Sequence, residues 1–182
     1  MPTELLEPRA RVAPPPEALA PKRDPVLTGL TWLVETPAEI YLTACRLILG
    51  LVMLAHASQK VFGWFGGAGF SATVQSFRTH LGIPMVFAVV AIVAEFLGAL
   101  GLIAGFLGRV ASVLIIAVMV GAILLVHVDN GFFMNWSGTA RGEGFEYHLL
   151  AIAVALPILA KGSGASSVDG WLGRLLHGHL QT

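Results

Sequence analysis

An acidic residue stands in the middle of a long apolar run, and no other feature of the chain constrains its fold as strongly. Apart from Glu95, residues 85–104 are all hydrophobic residues or glycines. The run is long enough for a helix to cross a bilayer, and Glu95 falls near its centre. A carboxylate at that depth costs roughly 2.5–3.5 kcal/mol, so Glu95 must face the protein interior and find a partner.

The composition of the whole chain is that of a membrane protein. Of its 182 residues, 55% are hydrophobic and 12% are charged, which is far from the composition of a soluble domain. The net charge is zero, which gives no basis for nucleic-acid binding. The single cysteine, Cys45, has no partner for an intramolecular disulfide. The chain alone therefore cannot run a thiol–disulfide relay, which needs two sulfurs.

Four stretches are apolar enough to be membrane helices, and we predict an all-α membrane protein built as a four-helix bundle. They cover about residues 38–62, 83–107, 110–128 and 145–160, and each must be helical because lipid satisfies no backbone polar group. The fourth spans only if Glu146 and His148 are drawn into the membrane or its interface. The predicted membrane domain is residues 38–165, between an N-terminal segment, 1–37, and a C-terminal segment, 166–182.

The segments around the spans carry weaker patterns. Residues 1–25 are Pro-rich and mostly polar, and we predict that they bury no core. Residues 26–34 are more apolar and form either a short interfacial helix anchored by Trp32 or a disordered lead-in. Between the first two spans, four apolar residues recur at helical spacing, which predicts an amphipathic helix on the outer surface. They are Phe70, Val74, Phe77 and Leu81.

The distribution of Lys and Arg predicts the orientation of the bundle. These residues concentrate in the N-terminal tail, in the short turn at Arg109 and in the C-terminal segment, whereas the two longer loops carry Arg78 and Arg141. Both termini should therefore be cytoplasmic, with the longer loops outside. Those loops are rich in aromatic residues, which form either an interfacial belt or a lid over the bundle.

Ionisable residues inside the predicted spans are the candidate functional residues. A rise of 1.5 Å per residue, counted from the outer helix ends, puts Glu95 about 18 Å deep and Arg46 about 24 Å deep. An arginine side chain can span that difference, so we predict a buried Arg46–Glu95 ion pair, which either fixes helix register or takes part in binding. At the outer end, three spans bring together the residues that we predict to bind any ligand or redox partner. They are His56, Lys60, His127, Glu146 and His148.

The same residues leave two other cofactors open. Two of His56, His127 and His148 are suitable axial ligands for haem, although no haem-binding motif accompanies them. A divalent metal is an alternative for His127, Glu146 and His148, but their spacing is not diagnostic, and we assign no metal ligand.

Small residues recur along the second span at spacings of four and three. Ala94, Gly98, Gly101, Gly105 and Gly108 form this stripe, which allows two helix backbones to approach closely. We predict that it packs within the bundle rather than forming a dimer interface.

Several of these segments together resemble the DoxX family. Residues 46–67 resemble the opening of that family, and Glu95 resembles the acid of its second helix. Residues 127–133 and 144–148 resemble its third-to-fourth connection, and residues 167–169 resemble its closing Ser-x-Asp. The resemblance covers about residues 46–171.

The resemblance implies a four-helix protein of the bacterial inner membrane with an oxidoreductase function. Some members of the family are quinone-linked thiosulfate dehydrogenase subunits, and others accompany thiol and superoxide stress proteins. The resemblance therefore implies quinone as the cofactor, and membrane lipid and other proteins as partners. The alternative is a non-catalytic accessory subunit that packs on a larger membrane complex, so the sequence leaves open whether the chain is an enzyme.

Overall fold

The computed structural model describes residues 25–179, and within that range the chain is helical, without strands. Its seven α-helices are α1 (Pro25–Val34), α2 (Ile40–Phe62), α3 (Phe70–His80), α4 (Met85–Ala104), α5 (Gly108–Ala122), α6 (Glu146–Lys161) and α7 (Val168–His179). A π-helical turn, Ile123–His127, and a 3-10 turn, Val128–Asn130, extend α5. Most of the predicted Pro-rich tail lies outside the described residues.

Three helices have the length and apolar composition of membrane spans. They are α2, α4, and α5 together with its extension to Asn130. They match the first three predicted spans to within a few residues at each end, which confirms an all-helical membrane protein. The fourth predicted stretch coincides with α6, which has 16 residues and is shorter than the other three. That α6 crosses the membrane stays a prediction.

The four long helices form a closed ring in which α2 contacts α4 and α6, and α5 contacts the same two helices. Their shared core is apolar and includes Leu49, Met53, Leu102, Ile115 and Ile158. The opposite faces carry exposed aliphatic side chains, among them Ile48, Leu51, Leu97 and Leu150. Apolar side chains on both faces are expected of helices in a lipid solvent.

Small residues on α4 pack against the neighbouring helices of the same bundle. A Cβ on Gly98 would lie 2.9 Å from Cδ1 of Ile115, and one on Gly101 would lie 3.0 Å from Cβ of Ala111. Both contacts hold α4 close to α5, so the predicted packing within the bundle is confirmed at these positions. On α2, Gly50 gives Ile103 of α4 the same close approach.

The two ends of the bundle differ in how they are built. One end, here called the terminus end, carries α1, α7 and the α4–α5 turn, and α1 contacts α7 there. The other, the loop end, carries residues 63–84 and 131–145. Residues 26–34 are helical, within α1, and the Trp32 ring lies 4.8 Å from Cζ of Arg109. The helical alternative for this segment is therefore the one observed.

The hydrogen bonds of Asp169 and Ser167 give the Ser-x-Asp sequence a structural role at the terminus end. Its two carboxylate oxygens accept hydrogen bonds from the backbone N–H groups of Leu107 and Gly108, at 2.7 and 2.9 Å, and from the Ser163 hydroxyl at 2.6 Å. The first N–H groups of a helix have no partner within it, so the carboxylate caps α5. Ser167 accepts a hydrogen bond from the N–H of Gly170 and donates one to the carbonyl of Gly164.

Candidate functional site

The partner of Glu95 is Lys60 and not Arg46, which corrects the ion pair predicted from the sequence. Nζ of Lys60 lies 2.7 Å from Oε1 and 2.8 Å from Oε2 of Glu95. The Glu95 side chain is 3% exposed, and that of Lys60 is 30% exposed. The carboxylate is therefore neutralised where lipid would penalise it most, and the ammonium group does not reach for the membrane surface.

The prediction failed because α2 and α4 do not end at the same level. Lys60 lies beside Glu95, although it is two residues from the end of α2, whereas ten residues of α4 precede Glu95. At 1.5 Å per residue, α4 therefore projects about 15 Å beyond Lys60. Helix α3 packs on this projecting part, where Val74 clusters with Ala88 and Ile92.

Arg46 has a different role, in which its guanidinium group binds five backbone carbonyls at the terminus end. On α4 it donates to the carbonyls of Leu102 and Ile103, at 3.0 and 2.6 Å. It also donates to three carbonyls in the connection before α7, those of Ser163 at 2.8 Å, Ser166 at 2.7 Å and Ala165 at 3.4 Å. The last carbonyls of a helix lack partners within it, so Arg46 caps α4 and ties it to the C-terminal segment.

A cavity of about 600 Å³ lies on the loop-end side of the bundle, among α2, α4, α5 and α6, and Phe77 of α3 also lines it. Most of its wall is apolar. The charged or polar side chains that line it are Glu95, Lys60, His56, His127, Tyr147, His148 and Glu143. Four of the five predicted ligand-binding residues, all except Glu146, therefore face one space.

Neighbouring backbone carbonyls determine which ring nitrogen of His56 and of His127 carries a proton. Nδ1 of His56 lies 2.9 Å from the carbonyl of Val52, and Nδ1 of His127 lies 2.8 Å from the carbonyl of Glu143. A carbonyl can only accept, so each Nδ1 carries the proton, and each Nε2 of the neutral ring is left as an acceptor. His148 is 7% exposed, and within residues 25–179 its buried Nδ1 has no hydrogen-bond partner.

The π-helical turn at the end of α5 brings His127 against His148. The two ring centroids are 4.2 Å apart. A π-turn shifts the register of the residues after it, and such turns occur frequently at functional sites. The ring of Tyr147 lies beside these groups, with its centroid 5.7 Å from that of His56 and 5.7 Å from that of His148.

Glu146 does not line the cavity, contrary to its predicted place in the ligand-binding group. Its Oε1 accepts hydrogen bonds from the backbone N–H of Met134, at 2.9 Å, and from Nε1 of Trp136, at 3.4 Å. It therefore holds the α5–α6 loop in place. The aromatic residues of the loops, Trp64, Phe65 and Phe133, are also absent from the cavity wall. Its polar wall instead includes Tyr147 and Glu95, which the sequence did not assign to it.

The geometry bears on the metal hypothesis and on one of the histidine pairs that the haem hypothesis allows. Among residues 25–179, no group of three or more His, Cys, Asp or Glu side chains could hold a metal ion. Glu146, the carboxylate of the metal hypothesis, binds the loop instead. The rings of His127 and His148 contact each other, which leaves no room for a haem plane between them.

Comparison with known proteins bears on the first three spans. The DoxX family model matches residues 41–128, which run from α2 through the π-helical turn. No curated protein and no solved structure matches the chain. The match includes Lys60, Glu95 and His127, and confirms the resemblance over that range. Over residues 41–128 the chain is therefore similar to the DoxX family.

Proposed function

We propose that this protein is a quinone-binding redox subunit that acts with partner proteins in a bacterial inner membrane. The observation that carries the proposal is the cavity, which is apolar over most of its wall and has a cluster of polar side chains in one part. Ligand cavities of about 300–1,000 Å³ with a few convergent polar groups are typical of small-molecule and cofactor sites. At about 600 Å³ the cavity falls inside this range.

The polar groups supply both kinds of hydrogen bond that a quinone head group requires. Its carbonyl oxygens accept in the oxidised form, and its hydroxyl groups also donate in the reduced form. The Lys60 ammonium has three N–H groups, of which two point to Glu95, so one remains to donate. The Nε2 atoms of His56 and His127 are the matching acceptors. When bound, quinone would supply reversible transfer of two electrons and two protons.

Glu95 and Tyr147 complete the site in different ways. Glu95 holds the Lys60 ammonium on the cavity side of α2, which fixes where the donor points. The Tyr147 hydroxyl has one weak contact in the structure, 3.8 Å from Sδ of Met53, so it is available to a head group. We therefore propose Lys60, His56, His127, Tyr147 and His148 as the binding residues and Glu95 as a positioning residue.

The same proposal includes the topology predicted from the sequence. In it, α6 is the fourth membrane helix, α3 is the amphipathic helix at the outer surface, and both termini are cytoplasmic. The terminus end carries Arg109, Lys161 and Arg174, whereas the loops of the other end carry Arg78 and Arg141, as the positive-inside rule requires. The polar part of the cavity then lies toward the outer half of the membrane.

The alternative is an accessory subunit without chemistry, and one observation favours it. Phe65, Phe133 and Trp136 are 71%, 74% and 89% exposed at the loop end, and exposed aromatic side chains are suited to contact with another protein. A redox subunit also needs a partner that delivers electrons, so such a surface is compatible with both functions. Quinone binding separates them.

The test is to purify the full chain in a mild detergent and to measure quinone and co-purifying proteins by mass spectrometry. We expect quinone in the wild type and its loss in Lys60→Met, while Lys161→Met at the terminus end keeps it. A wild type that holds no quinone, takes up none when it is added and co-purifies stoichiometrically with a larger complex would establish the accessory function instead.

A further inference from the structure

One glycine in the bundle has no packing role. Gly50 and Gly98 each lie where an added Cβ would come within 3 Å of a neighbouring helix. Gly121, on the membrane-spanning part of α5, has no atom within 4 Å of such a Cβ. It faces open space inside the cavity wall. A glycine in a helix is destabilising by about 1 kcal/mol relative to alanine, and no close helix contact explains this one.

Both α4 and α5 carry small residues at this point. Ala91 and Ala94 of α4, and Ala117 and Ala122 of α5, line the same part of the cavity. At the terminus end, by contrast, Gly98 and Gly101 bring α4 into direct contact with α5. The two helices therefore touch near their connecting turn and are separated by a cleft nearer the loop end.

The cleft opens toward lipid. The cavity-lining side chains at its margins, Phe87 and Val90 on α4 and Leu125 in the π-helical turn, are 65%, 57% and 56% exposed. All three are apolar and belong to helices with the length and composition of membrane spans, so this opening is suited to contact with hydrocarbon rather than water. At the other end of the space lies the buried, unpartnered Nδ1 of His148. One passage thus joins a polar cluster to the bilayer.

We propose that the cleft between α4 and α5 holds the long hydrocarbon tail of the ligand and that Gly121 determines whether a long tail is accepted. This inference rests on the proposed quinone function and adds the class of quinone, which is one with a long chain that leaves the site sideways into the bilayer. A head group in the polar cluster directs the tail along the small residues. A larger side chain at position 121 enters that path, and its Cβ would have no protein atom within 4 Å.

The test compares two added ligands, a quinone with a long isoprenoid tail and the same ring with a short tail, on the purified full chain. For the wild type and for Gly121→Leu, the dissociation constants of both quinones are measured in detergent. We expect Gly121→Leu to weaken the long-tailed quinone at least about tenfold relative to the short-tailed one, since one misfitting side chain in an apolar pocket has effects of this size. Ala91→Leu should act similarly from the opposite helix.

Gly29→Leu is the matched control, because Gly29 is a glycine of α1 that also has no atom within 4 Å of an added Cβ. It should leave both affinities unchanged. If both cleft variants keep the wild-type ratio of the two affinities, or lose both quinones equally while they remain folded, the tail channel is wrong and the proposed function stands on its own test. If the wild type binds neither quinone, the proposed function fails and the tail channel fails with it.

Discussion

Nζ of Lys60 lies within hydrogen-bond distance of both carboxylate oxygens of Glu95, at 2.7 and 2.8 Å, and the pair joins α2 to α4 beside the cavity. Each charge would be costly in lipid without the other. The pair is placed so that the carboxylate is buried and the ammonium faces the cavity. The pair therefore has a structural role beside the binding role that we propose for Lys60, and mutation can separate the two.

Removing one charge of the pair should destabilise the protein more than removing both. Lys60→Met or Glu95→Gln should lower the free energy of unfolding by about 3–5 kcal/mol because one charged group is left without its partner. In Lys60→Met this group is the buried Glu95 carboxylate, and in Glu95→Gln it is the partly exposed Lys60 ammonium. The double variant should recover part of this loss. Thermal unfolding in detergent measures all three, and Glu143→Gln in the loop serves as the control. A double variant no more stable than either single variant would contradict the pair.

Arg46→Lys should destabilise the terminus end although it keeps the charge. An ammonium has three N–H groups and a single nitrogen, so it cannot reach the five carbonyls that the guanidinium binds. Each carbonyl left buried without a partner costs about 1–3 kcal/mol. Hydrogen exchange should rise at the end of α4 and around residues 163–166. Arg78→Lys, on the surface of α3, should change neither, and equal effects of the two variants would contradict the cap.

Asp169→Asn should loosen the start of α5. The carboxylate accepts from two backbone N–H groups and one hydroxyl, whereas an amide presents one acceptor oxygen. We expect a loss of about 1–2 kcal/mol, the range of helix N-cap substitutions. The measurement is again thermal unfolding, with Asp129→Asn in the 3-10 turn as the control. An unchanged melting temperature in Asp169→Asn would show that the cap contributes little.

Tyr147→Phe should affect binding and leave stability almost unchanged. The only hydrogen bond that the hydroxyl makes within residues 25–179 is the weak one to Sδ of Met53. If the hydroxyl binds the quinone head group, the quinone content of the purified protein should fall several-fold while the melting temperature stays within a degree or two of wild type. A melting temperature that falls together with the quinone content would assign a structural role to the hydroxyl.

The predicted topology can be tested with single cysteines in a Cys45→Ala background. An impermeant thiol reagent should label Ser71→Cys and Thr139→Cys in intact cells, and should label Thr3→Cys only after the membrane is opened. The reverse pattern would invert the bundle and place the polar part of the cavity toward the cytoplasm.

The sequence predicted the helices well because long apolar runs leave one backbone solution in lipid. It also predicted that His56, Lys60, His127 and His148 share one end of the bundle, since chain direction decides this. It failed for Arg46 and Glu95 because depth along a helix was counted from helix ends that lie at different levels. The register of α2 against α4 is set by the close contact of Gly50 with Ile103. Gly50, a small residue on α2, was the sequence signal for this contact.

Glu146 and Tyr147 show a second limit of the sequence. Glu146 has the residue type of a ligand-binding group, but the N–H groups of the α5–α6 loop, whose conformation the sequence does not specify, take its carboxylate. Tyr147 adjoins His148 in the sequence and was available as a candidate on that ground alone. The directions of the Glu146 and Tyr147 side chains depend on the residue at which α6 begins, which is Glu146. A sequence pattern locates a helix end only to within one or two residues.

The π-helical turn at Ile123–His127 has a consequence for how such a protein changes over time. The turn holds one residue more than an α-helical turn would, and the direction of His127 depends on that count. Removal of one residue would rotate the imidazole by about 100° about the helix axis, while the cavity walls on α2, α4 and α6 stayed in place. A one-codon deletion in this turn should therefore separate the histidine pair and leave the sequences of α2, α4 and α6 unchanged.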